Sequence, residues 1–118
     1  MSDKRIVADR KGREAEAQAA QWLMQQGFEL LAERRKTKLG EIDLIARKPG
    51  LVAFVEVKWR SKAADLDLAI DERRLARVAA AVEVVAHEYA GPTDDIRIDV
   101  LLLAPGTRPR HIENAWMP

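Results

Sequence analysis

Cysteine is absent from the 118-residue sequence. This absence excludes a disulfide framework, a zinc site with cysteine ligands and a cysteine nucleophile, and it is typical of a reducing compartment. Long apolar runs are missing too: 51–55 and 100–104 are far shorter than the roughly 20 residues of a membrane-spanning helix. The first residues, MSDKRIVADRKGREAE, are charged and lack the apolar stretch of a secretory signal. We therefore expect a cytoplasmic protein.

Histidine and serine are scarce, and the glycines are scattered. Serine occurs only at positions 2 and 61 and histidine only at 87 and 111, so a Ser/His/Asp triad would need Ser61, which has no nucleophile-elbow motif around it. Two histidines without cysteine leave little for zinc, although a mixed site of histidine and carboxylates stays open. The six glycines stand singly along the chain, which excludes a glycine-rich phosphate loop.

Charge is present in quantity but nearly balanced, with 20 basic and 19 acidic residues. The balance alone does not indicate a nucleic-acid partner. Residues 1–60, however, hold 13 basic and 9 acidic groups, a net charge of +4, whereas residues 61–118 hold 7 and 10, a net of −3. The densest basic run is either a solvated strand end or loop, or a patch that faces phosphates. This run comprises Arg34, Arg35, Lys36 and Lys38.

Periodicity and turn residues predict one α/β domain over residues 1–118, with a central mixed sheet flanked by helices. Apolar residues at helical spacing predict helices over 10–26 and 71–89, each followed by a terminating glycine. A basic loop ending at Gly40 separates the first two strands. The order is α-β-β-β-α-β-β, with the last element around 111–115. The strands are predicted over 28–34, 41–48, 51–58 and 96–104.

The third predicted strand, 51–58, ends in charge beside the core. Strand side chains alternate between faces, and both faces of this strand are apolar until Glu56 and Lys58. Such a strand lies centrally, covered on both sides, so unpaired charges at its end are costly. If the Pro-Gly pair at 49–50 forms the centre of a turn, the numbers of cross-strand partners sum to 99. Asp43 then lies directly opposite Glu56 on one face, with Cβ atoms about 5 Å apart.

Two carboxylates placed opposite each other repel, so the pair requires a cation. One candidate is the ammonium of Lys58, in which case the charges form a network that only stabilises the fold. The other is a divalent ion, because carboxylate oxygens from adjacent strands suit Mg²⁺ or Mn²⁺, which keep water and substrate phosphate as further ligands. The residues alone leave both open. The second favours phosphodiester hydrolysis, since a metal acidifies a bound water and a lysine stabilises charge on phosphate.

The same residues resemble the PD-(D/E)xK nuclease signature: Asp43, a gap of twelve residues, and then Glu56-Val57-Lys58. More closely, the blocks GEIDLIA at 40–46 and FVEVK at 54–58 resemble the YraN-like family of small bacterial proteins. That family is similar to archaeal Holliday-junction resolvases and is described as predicted endonucleases. The resemblance covers nearly the whole chain. It implies a restriction-endonuclease-like α/β core, Mg²⁺ or Mn²⁺ as cofactor, and DNA, branched or otherwise unlike a plain duplex, as substrate.

Carried over residue by residue, the resemblance makes Asp43 and Glu56 metal ligands and Lys58 the catalytic lysine. It also brings Glu16 of the first helix to the same site as a ligand for metal or water, whereas spacing alone favours an ordinary exposed glutamate. The nucleic acid would be contacted by basic residues near the site. These are Arg34, Arg35, Lys36, Lys38, Arg60 and Arg74.

The chain departs from the family at Trp59, where threonine is usual, over 61–68, where a glycine-containing loop is usual, and at Arg74, where lysine is usual. Arginine still contacts phosphate but is not equivalent to lysine at a tightly defined site. Trp59 could stack a base, although alternation favours packing under a helix. Asp99, within an apolar strand, is most simply the buried partner of an arginine.

We therefore expect a divalent-metal-dependent endonuclease that hydrolyses phosphodiester bonds in DNA. A nucleic-acid-binding module with the same fold and no cleavage is the alternative from another class. A third hypothesis is a structural protein whose charged cluster serves stability. Symmetric cutting of two strands would call for a homodimer.

Overall fold

The protein is described by a computed structural model over residues 3–116. Its elements follow the predicted order of one helix, three strands, a second helix and two strands. A short 3₁₀ helix, Ala63–Ala69, also precedes the second helix. The elements are α1 (Asp3–Gln25), β1 (Glu29–Thr37), β2 (Gly40–Lys48), β3 (Leu51–Trp59), α2 (Glu72–Tyr89), β4 (Asp95–Leu103) and β5 (Arg110–Ile112).

The five strands form one mixed sheet in the order β1-β2-β3-β4-β5. The pair β3–β4 is parallel and the other three pairs are antiparallel. The two helices cover opposite faces: Val52 and Phe54 of β3 pack with α2, whereas Ala53 and Val55 pack with α1. The predicted α/β class, with its central mixed sheet flanked by helices, is confirmed.

The first residues of each helix follow from local side-chain chemistry. In α2, the Asp71 carboxylate accepts a hydrogen bond from the backbone N–H of Arg73 at 2.9 Å, which satisfies a donor that the helix cannot. Helix α1 starts seven residues before its predicted start at Arg10, because Lys4, Arg5 and Ala8 in the preceding segment are good helix formers. Among the described residues, no helix is both long and apolar enough to cross a membrane.

The hairpin β2–β3 has the predicted register as far as Leu44–Val55, but the predicted direct pairing of Asp43 with Glu56 is not formed. Its pairs run from Lys48–Leu51 to Leu44–Val55, so the numbers of partners sum to 99, and Gly50 takes φ 78° in the turn. The predicted basic loop before Gly40 was wrong, since β1 continues to Thr37. The Thr37 hydroxyl accepts the N–H groups of Leu39 and Gly40, each at 3.1 Å, and this closes a much tighter turn.

Candidate functional site

The sheet opens between β2 and β3 at the position of Asp43 and Glu56. Their ladder ends at the pair Leu44–Val55, and beyond it β2 pairs only with β1 and β3 only with β4. The backbone N–H of Val57 donates to Asp43 Oδ2 at 2.8 Å instead of to a strand carbonyl. We call this opening, bordered by Gly40–Asp43 and Glu56–Trp59, the fork.

The backbone of β2 changes face at the fork. Ile42 packs with the α2-side core and Leu44 with the α1-side core, although strict alternation would place both on one side. Opposite Asp43, between two regular pairs, Arg34 of β1 has φ 49°. This left-handed conformation costs an arginine about 1–2 kcal/mol. Irregular backbone is thus present at Asp43 on its own strand and opposite it on β1.

Three carboxylates meet on the α1 side of the fork. Glu16 from α1 and Glu41 and Asp43 from β2 each have an oxygen within 4.8 Å of the others. Glu16 also accepts from the Arg34 guanidinium, whose Nε lies 2.7 Å and Nη2 2.6 Å from its Oε1. Glu16, which resemblance alone singled out, therefore lies beside Asp43. Glu41 was not a sequence candidate, although period two places it on the same face as Asp43.

Glu56 is buried on β3 with its two oxygens in different surroundings. Its Oε1 lies 3.2 Å from Arg74 Nε and 3.4 Å from Lys58 Nζ. Its Oε2 is buried and has no hydrogen-bond partner among the described residues. A buried carboxylate oxygen without a donor is costly. Oε2 of Glu56 therefore lacks a cation or a hydrogen-bond donor.

Glu56 lies between two clefts. With Glu16 and Asp43 it lines the α1-side cleft, a cavity of about 260 Å³. With Lys58 and Arg74 it lines a smaller depression beside the first turn of α2. The structure thus brings Asp43 together with Glu16, and Glu56 together with Lys58. Glu56 falls outside the 4.8 Å acidic group but borders the same cleft.

The pKa of Asp43 is raised from 3.8 to about 7. Burial is the largest cause, and the charges of Glu56 and Glu16 add to it, whereas the bond from Val57 and the charge of Arg74 act against it. Four carboxylates stand at the site, those of Glu16, Glu41, Asp43 and Glu56, against the three cations of Arg34, Lys58 and Arg74. When all are ionised, the site therefore holds more negative charge than its own cations neutralise. Carboxylate oxygens are the ligands that Mg²⁺ and Mn²⁺ prefer. The donor set and the unpartnered Oε2 of Glu56 fit a divalent ion.

The predicted nucleic-acid contacts divide into two groups. Arg34 is paired with Glu16 and Arg74 with Glu56, and the Arg35 guanidinium lies 2.8 Å from a carboxylate oxygen of Glu88. Arg60 donates from Nη1 to the carbonyl of Trp59 at 2.7 Å. The two lysines are exposed on the β1–β2 hairpin. They are Lys36 and Lys38.

Asp99 forms a separate buried network. Arg97 donates two hydrogen bonds to its carboxylate, of 2.9 and 2.8 Å, and His111 Nε2 and the N–H of Asn114 lie 2.7 and 2.9 Å from its oxygens. Burial opposes ionisation, but the bonds from His111 and Arg97 outweigh it and lower the pKa of Asp99. Asp99 is the expected buried partner of an arginine. His111 joins β5 to β4 through this contact, and no pattern in the sequence predicted that role.

Comparison with known proteins gives one family. A family model described as "Uncharacterised protein family UPF0102" matches residues 15–103. A UPF0102 protein of Erythrobacter litoralis is 61% identical over 98% of this chain and 99% of its own length. UPF0102 proteins of Sphingopyxis alaskensis and Rhizorhabdus wittichii are 54% and 48% identical, each over 97% of this chain and over 98% and 97% of their own lengths. The matched region contains Asp43, Glu56 and Lys58.

Proposed function

The chain belongs to the uncharacterised protein family UPF0102, which corresponds to the YraN-like resemblance, and we propose that it is a divalent-metal-dependent endonuclease acting on DNA. The observation that carries this proposal is the buried Oε2 of Glu56, which lacks a partner in a site that already has excess negative charge. A structural charge network would satisfy its own acceptors. This one leaves an oxygen available, which is typical of a binding site.

The residues that would hold the ion are Asp43, Glu56 and Glu16, with Mg²⁺ or Mn²⁺ as the cation. A divalent ion in this place would acidify a bound water and neutralise charge that develops on the phosphate. It would also remove the repulsion that raises the pKa of Asp43. The fork supplies these carboxylates from three different elements, so their positions are fixed by the fold rather than by one mobile loop.

Lys58 and Arg74 have separate parts in this proposal. Both lie against Oε1 of Glu56, which leaves Oε2 for the cation. The Lys58 ammonium, on the exposed end of β3, would stabilise charge on the phosphate or orient the attacking water. Arg74 is held more tightly by the carboxylates around it, because its pKa is raised by Glu56, Asp43 and Glu41 against the opposing effect of burial. We assign Arg74 to positioning Glu56.

The substrate we propose is DNA, branched or otherwise different from a plain duplex. The basic residues around the fork and on the β1–β2 hairpin support a polyanionic ligand. Symmetric cleavage of two strands would need two such sites, and a homodimer would supply them.

Cleavage of a DNA panel tests the proposal. Linear duplex, nicked, flap and four-way-junction DNA are incubated with Mg²⁺ or Mn²⁺ and with wild type, Asp43→Asn, Lys58→Ala and Asp95→Asn. Asp95 is exposed at the start of β4, paired with Leu51 at the opposite end of β3 from the fork, so Asp95→Asn is the matched control. We expect cleavage by wild type and Asp95→Asn and a loss of about 100-fold or more in the other two.

Three results would contradict the proposal. Equal cleavage by all four proteins would indicate a contaminating nuclease. Binding without cleavage under every metal would favour the non-catalytic nucleic-acid-binding module. Neither binding nor cleavage, together with a loss of stability in Asp43→Asn, would favour a purely structural cluster.

A further inference from the structure

Trp59 lines the α1-side cleft, and the proposed chemistry does not use it. The indole lies at the end of β3 and packs only partly against the core under α1. Its cleft is shared with Glu16, Asp43 and Glu56. An aromatic ring therefore stands in the same cavity as the proposed metal ligands. The cleft has a volume of about 260 Å³, which is enough to admit a planar group such as a nucleobase.

One face of the Trp59 ring is accessible from outside. The ammonium of Lys11 lies 4.9 Å from the ring centroid, and the Lys11 side chain is exposed. A lysine ammonium stays hydrated, so the ring face that it covers is open to solvent rather than packed in the core. An electron-rich indole face that attracts a cation also stacks a nucleobase. Because the Lys11 stem is flexible, its ammonium can move from the ring to a neighbouring phosphate.

Gly12 leaves part of the cleft wall without a side chain. This glycine lies within α1 and borders the cleft, although glycine is unfavourable in a helix interior. A Cβ built at this position would have no heavy atom within 4 Å. Packing within the chain therefore does not account for the missing side chain, and the space beside Gly12 is available to a ligand.

The charges indicate which part of a nucleotide would enter. Inside the cleft are the carboxylates of Glu16, Asp43 and Glu56 and one cation, Arg34, which is paired with Glu16. The carboxylates outnumber this cation and would repel a phosphate that arrives without a metal ion. Two cations lie beside Trp59: the Lys11 ammonium is over its ring, and Arg60 is the next residue in the chain. A neutral base on the indole, with its phosphates near these cations and the metal site, satisfies both sets of charges.

We propose that Trp59 is a stacking platform for one unpaired base next to the scissile phosphate, and that it gives the protein a preference for DNA with unpaired nucleotides. A base within a duplex has both faces stacked on its neighbours, so only a flap, a gap, a junction with open ends or a single strand can supply the ring with a partner. The inference rests on the proposed function for the position of the scissile phosphate. The stacking itself can be measured without cleavage.

The first measurement is tryptophan fluorescence of a protein in which Trp59 is the only indole, made by Trp22→Phe and Trp116→Phe in the Asp43→Asn background with chelator. Single-stranded oligo(dT) and a duplex closed by hairpins at both ends are the two probes. We expect quenching of Trp59 by oligo(dT) and little change with the closed duplex. Unchanged emission at saturating oligo(dT), with binding verified by anisotropy, would overturn the proposal.

Two variants separate stacking from packing. Trp59→Leu keeps apolar contact with α1 but removes the ring, and it should bind oligo(dT) roughly 5- to 150-fold more weakly while its affinity for the closed duplex is unchanged. Gly12→Leu adds a side chain to the cleft wall and removes a helix-destabilising glycine. It should fold at least as stably as wild type and still lose affinity for oligo(dT).

Equal losses on both probes would assign Trp59 to packing and overturn the platform, as would full oligo(dT) affinity in Trp59→Leu. Selective quenching and selective loss in a protein that cleaves nothing would support the platform and refute the endonuclease instead. The two failures are therefore distinguishable.

Discussion

Asp43 and Asp99 are both buried aspartates near the middle of the sheet, yet their surroundings have opposite effects. Asp99 has four donors from Arg97, His111 and Asn114, and its pKa is lowered. Asp43 has one backbone donor, and its pKa is raised first by burial and then by the charges of Glu56 and Glu16. The same substitution, aspartate to asparagine, should therefore change stability in opposite directions at the two positions.

Asp43→Asn should stabilise the metal-free protein at neutral and alkaline pH. Because the pKa of Asp43 in the folded state is about 7 rather than 3.8, the folded protein holds a proton that the unfolded chain releases. The free energy of unfolding then falls as pH rises from 3.8 to about 7, by up to about 1.4 kcal/mol per pH unit, and is level above that. Asparagine removes this slope, and its amide oxygen still accepts from Val57.

Urea unfolding in chelator across that pH range measures the difference. We expect Asp43→Asn to exceed wild type by on the order of 4 kcal/mol at about pH 8, and the two to converge at about pH 4. Added Mn²⁺ should raise the melting temperature of wild type alone. An Asp43→Asn protein that is less stable than wild type at the higher pH would favour the structural network.

Asp99→Asn should destabilise the protein at neutral pH. The lowered pKa means that the charged form of Asp99 contributes stability above pH 3.8, and this contribution is lost as pH falls through the folded pKa. Asparagine leaves Arg97 without its main counter-charge, which costs about 2–3 kcal/mol, the low end for a broken buried pair because Arg97 also contacts Glu113. Asp95→Asn, at an exposed position, should stay within about 0.5 kcal/mol of wild type. Unchanged urea stability of Asp99→Asn would contradict the network.

Among the elements, the β2–β3 hairpin is the one whose geometry follows most directly from local chemistry. The turn at Gly50 requires a positive φ, and that turn sets every pair from Lys48–Leu51 to Leu44–Val55. The register could therefore be predicted from two turn residues and the period of two, and so could the burial of Glu56. The helices and the sheet order follow from equally regular patterns.

Gly50→Ala should cost about 1–2 kcal/mol. A Cβ at Gly50 meets nothing within 4 Å, so the cost comes from the backbone at φ 78° alone. Gly12→Ala is the matched control, since its Cβ also meets open space but its backbone is helical; it should gain up to about 1 kcal/mol. Urea midpoints at constant m-value measure both changes. A neutral Gly50→Ala would show that the turn does not hold the register.

The site was less predictable than the elements because it lies where the regular pattern breaks. Period-two alternation could not predict that β2 changes face at Asp43, nor that Arg34 is left-handed and paired with Glu16. Glu41, by contrast, could have been predicted to join the carboxylate group, because period two places it on the same face as Asp43. The fork depends on how β2 and β3 separate beside α1, which is a tertiary property rather than a local one.

At the scale of the whole molecule, near-neutral charge is the sum of ion pairs and a few exposed cations. Arg34, Arg35 and Arg74 are each paired with a glutamate, so these arginines carry less of their charge to a polyanion than the formal balance suggests. The exposed lysines on the β1–β2 hairpin are not paired with these glutamates. The charge that they offer to a polyanion is therefore not lowered in this way. Counterion release on DNA binding should therefore be small in total and concentrated at that hairpin.

The double variant Lys36→Ala, Lys38→Ala should weaken DNA binding and reduce the slope of log K against log salt by about 2, since each neutralised phosphate contributes roughly 0.9. Arg35→Ala, from the same strand but paired with Glu88, is the control and should change the slope by less than either lysine. Fluorescence anisotropy of a labelled junction over a range of KCl, in the Asp43→Asn background, measures all three. An equal effect of Arg35→Ala on the slope would contradict this prediction. Arg35 would then exchange the carboxylate of Glu88 for a DNA phosphate at no cost, and ion pairing within the fold would not determine which cations bind DNA.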